Sequence, residues 1–512
     1  MNIITEDLTY NRTIGSEKTQ KIVESDIIVP DSKPDILKLL QSDANVLIPQ
    51  KEVSDGCIEL DGRVDMSIIY TPEAEQDTVK GFSFSLNFNE LINNKDISSL
   101  DNVFTTTSVE KLDCFMVNSR KLRVKAVISI EYEILRIEPI SFATEVSGCD
   151  NPQVMRECLT FQNSINICEH LFTILEKIEL PSGQESIHEI LKNNIKICDI
   201  EYQTLNGKVI IKGAAVISIL YVSTLGNIEC NETELQFTEI LDCENITEDC
   251  YCDIDFEIVN YKLQLDEDND GDIRIINVQI DINAYLKSVE DLEIDVISDC
   301  FEPNIQTKIN SNKFHLEEVI ARPTMQTTIR ELIVADENVP SVSRVYDIIA
   351  KPYITSVKIS SGKILCEGHI KTFILYISVD HNAPVYSIHK EIPISYMIDC
   401  PQSKDTFSPM LKAEIKHTSY NLNTAGEIEL RIVLTLSANV INKREIELIT
   451  GIEQIDSVQT ADGNITIYFV QSGDTLWNIA KRYCVACSEI IKINSLKDEN
   501  IKPGTKLMIP RV

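Results

Sequence analysis

Apolar residues recur at every second position in three stretches of this chain, each running from a glycine to a tyrosine eight residues on. LDGRVDMSIIY holds Gly62 and Tyr70, IKGAAVISILY holds Gly213 and Tyr221, and CEGHIKTFILY holds Gly368 and Tyr376. Between them Val64, Met66 and Ile68, then Ala215, Ile217 and Ile219, then Ile370, Thr372 and Ile374 fall on one side. A period of two predicts a strand with one buried face. The glycines lie 151 and 155 residues apart, so one unit is repeated three times. Each glycine fits a bulge or a close approach of another backbone.

Upstream of each strand, Pro30 precedes DSKPDILKLL, Pro181 precedes SGQESIHEIL and Pro340 precedes SVSRVYDIIA. Each reads as a turn feeding a short amphipathic helix. Downstream come alternating segments that end in a hairpin: VNSRKLRVKAVISI, LDEDNDGDIRIINVQIDI and LNTAGEIELRIVLTL. The expected fold is mainly β: three tandem β-rich domains, each with one short helix, at 1–150, 151–306 and 307–450. A linker at 451–464 leads to a small α+β module at 465–512. There Ile465–Val470 reads as a strand and Leu476, Ile479, Ala480 and Tyr483 as the buried stripe of a first helix. Asp474 is suited to accept the N–H groups of that helix's first turn. A second helix begins near Ser488 and ends at Asn494, and KPGTKLMIP closes the order β-α-α-β.

The chain has 512 residues and a formal charge of −33, which argues against nucleic acid or an anionic membrane as the main partner. Its start lacks the basic and apolar segments of a signal peptide, and its longest apolar run, Ala214–Val222, is too short to span a membrane. A cytosolic protein is expected, with its 15 cysteines reduced. Asp266–Gly271 resembles the start of a calcium loop, but the position of the bidentate Glu holds Asn277. A solvated turn is the better reading. Cys484 and Cys487 lack a second ligand pair for zinc and a βαβ setting for redox work. No phosphate loop, nucleophile elbow or metal-binding histidine array is present, so no enzyme, cofactor or metal is expected.

The last 48 residues depart from the rest in charge, with seven Lys/Arg against four Asp/Glu, and they hold Trp477, the only tryptophan. Trp477 lies off the buried stripe beside Lys481 and Arg482. It reads either as an exposed contact patch for a protein partner or as cover for one edge of a small core. The pattern Y-x-V-x-x-G-D-T-L-W-x-I-A at Tyr468–Ala480, I-N-x-L at Ile493–Leu496 and K-P-G-x-x-L-x-I-P at Lys502–Pro510 resembles the LysM family. That resemblance implies a non-catalytic binding module. Its groove for N-acetylglucosamine polymers would be formed by Gly473, Asp474, Thr475 and Leu476 with Ile493, Asn494, Ser495 and Leu496. Cys484-Val485-Ala486-Cys487 departs from the glycine and polar turn usual in the family. Three P…G-x7-Y repeats joined to one terminal LysM resemble the SPOCS-repeat spore-coat proteins of endospore formers. This second resemblance implies a mother-cell adaptor that binds the coat's basement-layer ATPase through its LysM and holds the coat around the forespore, with other coat proteins as further partners. Peptidoglycan binding in the cortex or wall stays open as the alternative.

Overall fold

The computed structural model describes residues 2–73, 79–334, 341–378, 385–423, 426–455 and 465–510. Pro340 and residues 456–464 of the expected linker lie outside them.

The first repeat comprises β1 (Asn2–Ile28), β2 (Ile36–Ser54), β3 (Cys57–Pro72), β4 (Lys80–Asn93), β5 (Asn102–Asn118) and β6 (Lys121–Ser147). The second has β7 (Gln153–Glu179), β8 (Ile187–Leu205), β9 (Lys208–Ser223), β10 (Ile228–Asp242), β11 (Tyr251–Glu267) and β12 (Ile273–Phe301). The third has β13 (Gln306–Ala321), β14 (Thr324–Ile333), β15 (Val342–Ser360), β16 (Lys363–Ser378), β17 (Val385–Asp399), β18 (Ser408–Leu422) and β19 (Ile428–Ile455). In each repeat two antiparallel sheets share one core: β2-β3-β4 with β1-β6-β5, β8-β9-β10 with β7-β12-β11, and β15-β16-β17 with β13/β14-β19-β18.

The helices expected after Pro30, Pro181 and Pro340 do not form. DILKLL and its counterparts enter β2, β8 and β15. The registers explain why the spacing imitates a helix. β2 slips against β3 at Ile36/Lys38 and again at Leu39/Gln41. β8 slips at Ile187/Glu189 and Ile190/Lys192, and β15 at Val342/Arg344 and Val345/Asp347. Two bulges three residues apart turn a two-residue period into a pattern of three and four, which imitates a helix.

Each repeated glycine sits opposite or beside a further bulge, between Leu47 and Gln50 in β2, Cys198 and Glu201 in β8, and Ile354 and Ser356 in β15. Close approach is the reason for glycine. A Cβ on Gly62 would lie 2.0 Å from the Phe88 ring, and one on Gly368 2.1 Å from the Tyr353 carbonyl oxygen. Tyr70, Tyr221 and Tyr376 are fully buried. The hydroxyls of Tyr70 and Tyr221 donate to the carbonyls of Pro34 (2.9 Å) and Glu185 (3.1 Å), pinning the loop that leads into the bulged strand. The acidic run at 266–271 forms a hairpin turn in which Asp268 accepts the N–H groups of Asp270 and Asp272.

The three repeats meet through equivalent residues. β4 packs beside β8, β10 beside β15 and β17 beside β2, closing a ring. Ile69, Leu220 and Leu375, each directly before its tyrosine, share one cluster with Leu40 and Leu191. Gln41, Lys192 and Asp347 each follow the second bulge of their strand. Lys192 donates to Asp347 at 2.8 Å and faces Asp43 at 3.3 Å, and the Gln41 amide donates to Asp347 at 3.3 Å. Burial opposes the Lys192 charge, but Asp347 and Asp43 hold its pKa above the ordinary value. Farther along, the long antiparallel pairs β1/β6, β7/β12 and β13/β19 converge on Phe142, Val296 and Leu448, and then on Ala143, Ile297 and Ile449. Among the described residues no helix is long and apolar enough to cross a membrane.

Candidate functional site

The C-terminal module pairs β20 (Ile465–Phe469) with β21 (Lys506–Pro510) around α1 (Leu476–Tyr483) and α2 (Cys487–Asn494). Leu476, Ile479 and Ala480 are buried as the stripe predicts, together with Val485, Ile490, Leu507 and Ile509. Thr475, rather than Asp474, caps α1: its hydroxyl accepts the Asn478 N–H at 3.1 Å. Asp474 instead ties the preceding turn. It accepts the Tyr468 hydroxyl (2.6 Å) and the Gln471 N–H (2.8 Å), contacts that hold its pKa below the ordinary carboxylate value. Cys484 ends α1 in the left-handed region (φ 53°), where its N–H bonds back to the helix. Ser495 does the same for α2 (φ 50°). Cys484 is buried and Cys487 half-buried, both free thiols whose pKa burial raises.

Of the eight residues expected to line a groove, Leu476 and Leu496 share the module's core, and several others are tied into its own framework. Asn494 exchanges hydrogen bonds with the Met508 backbone at 2.6 and 2.7 Å. Leu476 is buried, and Ile493 and Leu496 are half-buried. Gly473, Thr475 and Ser495 face solvent.

Trp477 departs from the expectation of an exposed patch. It is half-buried, and what covers it is the end of β12. Its indole N–H donates to Asp299 Oδ2 at 2.6 Å, while Lys481, one turn on and on the same face, donates to Asp299 Oδ1 at 2.5 Å. Phe301 meets the indole edge-to-face, with centroids 5.1 Å apart at 71°, and completes the module's core. The Asn304 N–H donates to the Cys484 carbonyl at 2.8 Å, beyond the end of α1. Arg482 stays exposed and donates to the Tyr468 hydroxyl at 3.1 Å.

Nothing in the repeat pattern marks Asp299 or Phe301, yet the registers do. β6, β12 and β19 each carry a bulge, at Ala143/Glu145, Ile297/Asp299 and Ile449/Gly451. Glu145, Asp299 and Gly451 are therefore equivalent, as are Ser147, Phe301 and Glu453. Among the three strand-pair ends, the second alone pairs a carboxylate with an aromatic ring.

The family described as "SipL, SPOCS domain" matches residues 35–117, 186–266 and 341–423, and the LysM domain matches 468–510. The chain carries three SPOCS domains and one LysM domain. Each SPOCS match spans the bulged strand and the three strands after it, leaving the long strands that bracket them outside. Over 43 residues the chain is 40% identical to an uncharacterized protein, YkzQ, of Bacillus subtilis (strain 168). That match covers 8% of this chain and 57% of the relative's length. No solved structure matches. SPOCS and LysM are binding domains of non-catalytic type, and together they support a sporulation-related role in binding protein or peptidoglycan.

Proposed function

We propose that this chain is a non-enzymatic spore-coat adaptor. Its LysM docks on the coat's basement-layer ATPase, and its SPOCS ring carries the assembling coat around the forespore, on the mother-cell side. The observation behind this reading is the chemistry of the α1 face. Trp477 and Lys481 together grip a polypeptide through one carboxylate and one ring, and an aromatic anchor beside a cation suits an acidic protein surface. Peptidoglycan binding is the second reading, favoured by the solvent-facing Gly473, Thr475 and Ser495 at the groove mouth.

The two readings separate in one pull-down that compares the full chain with a chain ending at Ile455. Purified basement-layer ATPase should be retained by the full chain alone, and insoluble peptidoglycan by neither. Saturable retention of the full chain on peptidoglycan, with none of the ATPase, would replace the adaptor with the glycan binder.

A further inference from the structure

The face that the adaptor reading assigns to a partner is already filled by the chain's own second repeat. Both Asp299 carboxylate oxygens are used, one by the Trp477 indole and one by the Lys481 ammonium. Phe301 is 1% exposed, so its ring is as much a part of the LysM core as of the repeat. A protein that uses Trp477 must therefore displace this strand end.

The contact is selective. Ser147 and Glu453 stand where Phe301 stands, and neither supplies a ring. Gly451 stands where Asp299 stands and supplies no carboxylate. What α1 reads is an acid two residues ahead of an aromatic side chain at the end of a strand, and the turn that follows gives the Asn304 N–H to the Cys484 carbonyl. The contact is also tethered. A short connection gives an effective concentration on the order of millimolar, so a contact of modest intrinsic strength stays closed and a free partner can still exchange with it. Arg482 and the groove mouth are left open by the docked strand.

We propose that the LysM α1 face is a receptor for a strand end carrying a carboxylate two residues ahead of an aromatic ring. Asp299 and Phe301 hold it shut in cis, and a protein partner presenting the same pair opens it. This inference rests on the protein-docking reading of that face, but its test needs no partner.

Trp477, as the only tryptophan, reports the contact directly through its fluorescence in the full chain. Phe301→Ser, which installs the residue of the first repeat, should shift the emission to the red and raise acrylamide quenching several-fold. A synthetic peptide copying residues 295–305 should then restore the native spectrum, and the same peptide with serine for Phe301 should not. Hydrogen exchange across α1 reports whether the variant's LysM remains folded. Should it unfold, Asp299→Asn decides alone: the red shift should be smaller, and the peptide should reverse it. Native-like emission in a folded variant, or a peptide without effect, overturns the inference. Either result leaves the adaptor reading standing, which fails separately if the ATPase binds neither the native chain nor the released variant.

Discussion

Gly62 sits under the Phe88 ring with no room for a methyl group. Gly62→Ala is expected to cost about 1–3 kcal/mol, the usual range for overpacking a core, read as a lower urea midpoint of the full chain. Gly368→Ala should cost more than Gly62→Ala in the same assay, because it meets a backbone carbonyl rather than a ring that can turn. These glycines were legible because three copies show them at one place in a strict two-residue alternation. Glu257 was not. It lies between the first two repeats, accepting from Tyr285 at 2.9 Å and Thr105 at 3.4 Å, and burial pushes its pKa up to about 7 from 4.5. Folded, it binds its proton more tightly than unfolded. Its contribution is therefore fully present below about 4.5 and is lost as pH rises through about 7. Glu257→Gln keeps an acceptor and removes the charge. From pH 5 to 8 the variant should gain on the native chain by roughly 2.5 kcal/mol in urea unfolding, at about 1.4 kcal/mol per pKa unit. Parallel pH profiles would contradict the assignment.

The alternating strands and both LysM helices follow from local periodicity, and the structure has them where the pattern places them. The repeats' expected helices fail for a physical reason: DILKLL and its two counterparts are bulged strands, and paired bulges shift side chains around the strand as a helix would. Only the register against the neighbouring strand tells the two apart, and register is a long-range property. The LysM groove shows a different limit. The resemblance picks out its residues, but in the structure Thr475 caps α1 and Asn494 staples α2 to β21. Thr475→Ala should lower the stability of the LysM by about 1 kcal/mol, seen as an earlier thermal transition in Trp477 fluorescence. A variant with weaker glycan or protein binding but unaltered melting would make Thr475 a contact instead.

At the scale of the whole molecule, three SPOCS domains form a trimer within one chain, and unlike residues at one equivalent position fix which repeat lies beside which. Gln41, Lys192 and Asp347 cannot be exchanged without leaving a buried charge unpaired. Lys192→Ala leaves Asp347 with the Gln41 amide but no cation and Asp43 with Lys351 alone, and should cost about 3–5 kcal/mol in urea unfolding. A near-neutral result would mean the ring is held by its apolar cluster alone. The LysM adds a second asymmetry by choosing the Asp299–Phe301 end from three candidates. That choice was invisible in the sequence because the acid and the ring lie about 180 positions before their partners.

The central claim is that this LysM binds protein through α1, and it is tested most directly in the released background, where the cis contact no longer competes. The dissociation constant for the purified basement-layer ATPase should be compared between Phe301→Ser and Phe301→Ser/Trp477→Ala. Loss of an aromatic anchor worth about 2 kcal/mol predicts binding weaker by roughly 30-fold. Equal constants for the two chains would contradict it.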